Sequence, residues 1–214
     1  QLFQFCTVDL SSFYFDIRKD ALYCDHISSH VRKSCIFTLE MIFERLVKWF
    51  APILPFTMEE VWMQRQKENL NTSVHLDDFP KTPNEWTNIE LEEKWNKIRD
   101  IRSYVTLAIE KERQNKNIRS SLEASPVLKI KDKNLFKILS SVDFSEVCIT
   151  SSIKIELNED LQLEENLSSD EGIEVSIVKA EGEKCNRCWK YTNSYNHYKN
   201  KIICKRCNEV LNNS

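Results

Sequence analysis

Apolar residues recur at four-residue steps from Phe13 through Ile17 to Ala21, then form one stripe through Val31, Cys35, Leu39, Ile42, Phe43, Leu46, Val47 and Phe50. Steps of three and four place side chains on one helix face, so residues 1–65 are expected to form packed amphipathic helices. Pro52 and Pro55 end the second of them. Thr57 with Glu60 makes a capping box that predicts a third helix through Val61 and Trp62. Residues 66–86 are polar, carry Pro80 and Pro83, and read as a connection.

A second capping box, Thr87 with Glu90, predicts a long helix with the stripe Leu91, Trp95, Ile98, Ile101, Val105, Ala108 and Ile109. After Pro126 the period shortens. Val127 to Ile130, Val147 to Thr150, Ile153 to Leu157 and Val175 to Val178 read as short strands, with a helix over Leu135 to Leu139 between the first two. A small α/β segment is therefore expected between the helices and the tail. No internal repeat or low-complexity segment is visible.

With 214 residues, 41% apolar and 29% charged, the chain has the composition of a soluble globular protein of one or two domains. Its longest apolar stretch, Leu46 to Phe56, contains Lys48 and two prolines and falls short of the roughly 18 residues a membrane span needs. No signal-peptide pattern is present, and the chain opens at Gln1 in helix-like sequence, so a piece of a longer protein is expected. Glycine scarcity is informative: only Gly172 and Gly182 occur. That excludes G-x-G-x-x-G, Walker and G-x-S-x-G loops within these residues, because each needs several glycines at short spacing.

Net charge is −3, but it is unevenly distributed. Ile153 to Glu183 holds ten acids against Lys154 and Lys179, whereas Lys184 to Cys207 holds seven cations and no acid. A basic module after an acidic stretch points to a nucleic-acid contact. The long helix is also basic: Lys94, Lys97, Arg99, Arg102, Lys111, Arg113, Lys116 and Arg119 outnumber Asp100, Glu110 and Glu112. That face is either a solvated helix surface with paired charges or one that faces RNA.

Cys185 and Cys188 form one C-x-x-C and Cys204 and Cys207 another, with fifteen residues between. Each pair can offer two sulfurs from a tight turn, and the loop can return the second pair to complete a tetrahedron, as in a zinc ribbon or knuckle. Four thiolates leave no open position for substrate, so the expected Zn²⁺ is structural. The competing readings are redox pairs, which lack the βαβ setting of a thioredoxin motif, and a disulfide framework, which lacks a secretory signal. His197 could replace one thiol only if one were unsuitable. Cys6, Cys24, Cys35 and Cys148 read as core or surface thiols, and His26 with His30 lack a third ligand nearby. Trp49, Trp62 and Trp95 sit at apolar helix positions, whereas Trp189, between Cys188 and Lys190, either packs over the metal site or offers its face to a base.

Several segments resemble one family. FCTVDLSSFYFDIRKD at Phe5 to Asp20, APILPFTMEEVW at Ala51 to Trp62, SVHLDDFP at Ser73 to Pro80, IRSSLEA at Ile118 to Ala124, KCNRCWKY at Lys184 to Tyr191 and CKRC at Cys204 to Cys207 are similar, in this order, to the C-terminal part of bacterial-type isoleucyl-tRNA synthetases. The knuckle type also occurs in formamidopyrimidine-DNA glycosylases. The resemblance implies a mainly α fold: a helical-bundle anticodon-binding domain over 1–120, a small α/β junction over 121–180 and a four-cysteine zinc knuckle over 181–214. It implies a class I ligase parent, monomeric and cytoplasmic, that joins isoleucine to its tRNA. ATP and Mg²⁺ would be used, and mischarged valine hydrolysed, by domains outside these residues, which carry neither HIGH-like nor KMSKS-like segments. The implied partner is the anticodon stem-loop of isoleucine tRNA, with no DNA or membrane. The expected zinc ligands are Cys185, Cys188, Cys204 and Cys207. The expected RNA contacts are Arg187, Trp189, Lys190, Lys205 and Arg206, with Arg32, Lys33 and Arg119. Arg119 stands where the family usually has glycine, and would be strained if that position needs a left-handed backbone. A non-enzymatic zinc-ribbon module binding nucleic acid or protein is the alternative reading, and a tail that acts mainly as a structural clamp is another.

Overall fold

The computed structural model describes residues 1–65, 72–159, 168–169 and 172–212. Five acids of the acidic stretch (Asp160, Glu164, Glu165, Asp170 and Glu171) and residues 66–71 of the expected connection lie outside the described residues. The chain divides into two compact units, Ile27–Asn88 and the remainder, Gln1–His26 with Ile89–Ser214. Its secondary structure is mainly helical, with a small sheet.

In the unit Ile27–Asn88, helix α3 (His30–Phe50) starts at Ser29, whose Oγ accepts from the Arg32 N–H. Of its predicted stripe only Cys35 and Val47 are fully buried. Helix α4 (Pro55–Arg65) begins at Pro55, because proline lacks the donor that the first helical turn leaves unused. Thr57 therefore lies inside the first turn, and the capping box expected at Thr57 and Glu60 does not form the helix start. Val47, Ala51, Trp62 and Val74 form the core of this unit with Phe43, Met58 and Val61. Glu59 ties the following segment down by accepting from Ser73 Oγ (2.8 Å) and the Val74 N–H (3.0 Å). Lys48 bridges Glu44 and Asp77 over the Trp62 ring.

The other unit opens with helix α1 (Leu2–Gln4), a π-helical segment Phe5–Phe15 and α2 (Asp16–Cys24), continuous because the residues at both junctions keep right-handed helical dihedrals. Helix α5 (Ile89–Gln114) begins two residues after Thr87, so Asn88 precedes it directly and the second predicted capping box is also displaced. The helix buries Ile98, Ile101, Val105 and Ile109. They meet the inward residues of β1 (Ala124–Ile130), whose burial alternates as a half-covered strand requires. The four-stranded sheet has the order β2 (Lys154–Leu157), β1, β4 (Ile173–Lys179), β3 (Ser168–Ser169). β1 runs parallel to β2, with Leu128 beside Ile155, and antiparallel to β4, with Ile130 beside Ile173. Helices α6 (Lys133–Ser140) and α7 (Phe144–Cys148) lie in the β1 to β2 crossover.

The strand expected over Val147 to Thr150 is absent. Asp143 accepts from the Glu146 N–H and starts a helical turn, Ile149 closes it with a left-handed backbone (φ 56°), and Phe144, Val147 and Cys148 are buried. Local capping at both ends outweighs the β preference of so short a run.

The tail consists of two hairpins, β5 (Glu183–Lys184) with β6 (Tyr191–Thr192) and β7 (Tyr195–Tyr198) with β8 (Lys201–Cys204), followed by helix α8 (Lys205–Asn212). Lys199 and Asn200 both take positive φ in the two-residue turn of the second hairpin, the geometry that matches strand twist. Gly182 has φ 92°, and a side chain there would clash with the Thr192 carbonyl. Among the described residues no helix is long and apolar enough to cross a membrane.

Candidate functional site

Cys185 and Cys188 lie on the turn between β5 and β6, Cys204 ends β8, and Cys207 is in the first turn of α8. Their four sulfurs lie within 4.8 Å of one another, and Cys188 and Cys204 are 3.7 Å apart. A tetrahedron with metal to sulfur bonds of about 2.3 Å has edges of about 3.8 Å, so the four cysteines are positioned to hold one metal ion. Among the described residues they form the one such cluster of three or more donors. His197 lies exposed on β7 against Tyr195 and is not part of it.

Cys185 and Cys207 lie below the ordinary thiol value, and Cys188 and Cys204, which share hydrogen bonds with the neighbouring sulfurs, lie above it. Burial pushes the Cys185 thiol up, but the backbone donors around it, including those of Cys188 and Arg187, outweigh burial and bring it below its ordinary value. Cys207 is held far lower by hydrogen bonding to Cys188, Cys204 and Cys24, with the Arg187 guanidinium adding to the effect. Cys148, enclosed in the α5 and sheet core, is pushed up to about 12 by desolvation and is an unreactive thiol. Cys24 and Cys35 are likewise buried, and Cys6 is half-buried.

The predicted RNA contacts separate into two groups. Arg187 Nη1 donates to the Cys24 carbonyl and approaches Cys207 Sγ at 3.6 Å, while Nη2 donates to the Tyr23 carbonyl at 3.2 Å. Arg206 makes two 2.7 Å bonds to the Asp20 carboxylate and one of 3.2 Å to Asp25. Lys190 approaches Asp20 at 3.7 Å. These three cations hold the cysteine module against the end of α2. Trp189, by contrast, is 60% exposed, with its backbone in the left-handed region (φ 66°) and its N–H on the Cys185 carbonyl. Its indole borders an apolar cavity of about 420 Å³ lined also by Ile17, Tyr23, Leu122 and Ile149. Lys205 is exposed on the first turn of α8.

Arg119 is exposed, its N–H donates to Glu123, and its backbone is not left-handed, so arginine at this position carries no strain. Arg32 and Lys33 lie in the first turn of α3 in the other unit, Lys33 exposed. Part of the basic face of α5 is engaged within the chain. Arg99 pairs with Asp9 at 2.8 Å and lies over the Phe13 ring, Arg102 donates to the Val147 carbonyl, and Arg113 pairs with Glu110.

Sequence reasoning missed Asp20 and Cys24. Both occur in or beside the quoted FCTVDLSSFYFDIRKD segment, but their partners lie more than 160 residues away, where no periodicity links them. The absence of a basic residue in the last turn of α2 was the available signal that its terminal carbonyls are satisfied from elsewhere.

The family model described as the anticodon-binding domain of tRNA ligase matches residues 1–128. The chain belongs to this family. Curated relatives extend the similarity to the cysteine module. The isoleucine–tRNA ligase of Pelagibacter ubique (strain HTCC1062) is 47% identical over 206 residues, covering 96% of this chain and 20% of the relative. Those of Brucella abortus biovar 1 (strain 9-941) and Bartonella henselae (strain ATCC 49882) are each 49% identical over 191 residues, or 89% of this chain. This anticodon-binding family member thus spans about a fifth of the length of the curated relatives it matches.

Proposed function

We propose that the chain binds the anticodon stem-loop of isoleucine tRNA as part of an isoleucine–tRNA ligase, whose attachment of isoleucine to tRNA with ATP and Mg²⁺ takes place outside these residues. The observation that carries the reading is the exposed Trp189 indole, set beside an apolar cavity on the cation-rich module of an anticodon-binding family member. Loop bases splay out of an RNA hairpin and stack on aromatic faces, while lysine and arginine hold the phosphates. Trp189 supplies the stacking face, and Lys205 and Arg119 supply phosphate contacts in the same unit. Arg32 and Lys33 add cationic contacts from α3. Zn²⁺ bound by Cys185, Cys188, Cys204 and Cys207 supplies structural order and no open coordination position.

The engagement of Arg187, Lys190 and Arg206 with α2 favours a second role for the module, a clamp that presents Trp189 rather than a surface on which every cation meets RNA. Titration of the zinc-loaded chain with an isoleucine-tRNA anticodon stem-loop and a valine-tRNA control, at several salt concentrations and followed by anisotropy, tests the function. Tighter, salt-dependent binding of the isoleucine loop is expected. Equal or absent binding by the folded chain would place specificity outside these residues. Trp189→Ala should keep its zinc and lose roughly 1–3 kcal/mol of RNA affinity. Unchanged affinity would leave the clamp as the module's role.

A further inference from the structure

Helix α2 has no basic residue in its last turn, and the following Asp25, extended at ψ 155°, donates its N–H to the Ala21 carbonyl. The terminal carbonyls of Tyr23 and Cys24 carry the negative end of the helix dipole and need donors. The donor comes from the cysteine module. Arg187, between Cys185 and Cys188 in sequence, places Nη2 on the Tyr23 carbonyl and Nη1 on both the Cys24 carbonyl and the Cys207 sulfur. Cys24 returns the contact, its Sγ lying 3.9 Å from the Arg187 carbonyl, and it shares one buried cluster with Cys185, Cys188 and Cys207.

We infer that Arg187 is a positioning residue that joins the metal centre to helix α2, so that filling the four-cysteine site and docking the module on the helix are a single event. The inference rests on the metal-binding reading of the four cysteines. A tetrathiolate centre around a divalent ion has net charge −2, and a guanidinium bonded to one of its sulfurs compensates part of that charge. The same planar fork reaches two helix carbonyls because its donors diverge in fixed directions. A lysine ammonium can supply the charge but cannot hold all three acceptors in that geometry. With the metal removed, the Cys185–Cys188 turn loses the constraint that aims Arg187. The α2 terminus then loses its donors, and the cavity that Trp189 shares with Ile17 and Tyr23 loses one wall.

The test uses the 214-residue chain and needs no RNA. Zinc affinity is measured by competition with a chromophoric chelator for wild type, Arg187→Lys and Arg187→Ala. Amide hydrogen exchange at residues 22–26 is followed with and without zinc, and exchange at Ile101 and Leu128 reports that the sheet core is folded. Wild type is expected to bind one zinc and to gain protection at residues 22–26 when it does. Arg187→Ala should bind zinc about tenfold or more weakly, the usual scale for an outer-shell partner, and Arg187→Lys should fall between. In both variants zinc should no longer protect residues 22–26. If wild type binds zinc but Arg187→Ala binds it as tightly with the core protected, or if zinc leaves exchange at residues 22–26 unchanged, the coupling is wrong. If wild type binds no zinc, the metal reading itself fails and the coupling with it.

Discussion

Arg206 grips Asp20 through two parallel hydrogen bonds of 2.7 Å, Nη1 to Oδ2 and Nη2 to Oδ1, joining the last helix of the described chain to α2 across 186 residues of sequence. Burial alone would push the Asp20 carboxyl up, but the bonds and charge of Arg206, helped by Lys190, outweigh it and hold the group below its ordinary carboxylate value. A depressed folded value means that the pair adds stability above the unfolded carboxylate value, about 3.9, and loses it as pH falls through the folded value. Asp20→Asn should cost about 2 kcal/mol near neutral pH. Its denaturation midpoint should converge with that of wild type as the medium is acidified below about pH 4. A gap that stays constant into that range would show that Asp20 does not titrate against Arg206.

The four-cysteine site should not be needed for the α5 and sheet core to fold. Cys204→Ala removes one of four sulfurs, and it should abolish stoichiometric zinc binding and expose the hairpins and α8 to proteolysis. Far-ultraviolet dichroism should keep the helical signal, because α5 and the sheet share a core in which none of the four ligands takes part. Unchanged zinc content by atomic absorption would refute the assignment of the ligands.

Thiol reactivity should follow burial rather than number. Cys148 is enclosed and its thiol lies near 12, so a disulfide reagent at pH 8 should leave it unmodified in the native chain. Cys6, half-buried near the start of the chain, should react faster. Mass spectrometry after partial modification distinguishes the two sites, and native modification of Cys148 at a rate equal to that of Cys6 would contradict the packing described.

The sheet core sets the stability of its unit. Leu128 is fully buried between α5 and the sheet, in register with Ile155 and Val175. Leu128→Ala removes three buried carbons and leaves a cavity, which should cost roughly 2–5 kcal/mol. Urea denaturation gives the figure directly, and a loss under about 0.5 kcal/mol, the size typical of an exposed site, would be inconsistent with the burial.

Much of this protein was legible from its order of residues. The spacing of Ile98, Ile101, Val105 and Ile109 marks one helix face, and the structure buries all four. The paired C-x-x-C motifs name their own sulfur cluster, because two sulfurs three residues apart on a turn already point together. The segments of family resemblance likewise carry the anticodon-binding assignment without any coordinates. These features are local, and local geometry is written in spacing.

The tertiary structure decided which charges are engaged within the chain. Seven cations in the tail look equivalent in sequence, yet Arg187, Lys190 and Arg206 face acids and carbonyls of α2 while Lys205 stays exposed. It also decided that Val147 to Cys148 closes a helical turn, that Arg119 occupies an unstrained backbone, and that residues 1–26 belong to the same unit as the sheet. Each of these depends on partners distant in the chain or on competition between local preferences. Periodicity records which side of an element is apolar, and it contains no term for what that element will meet.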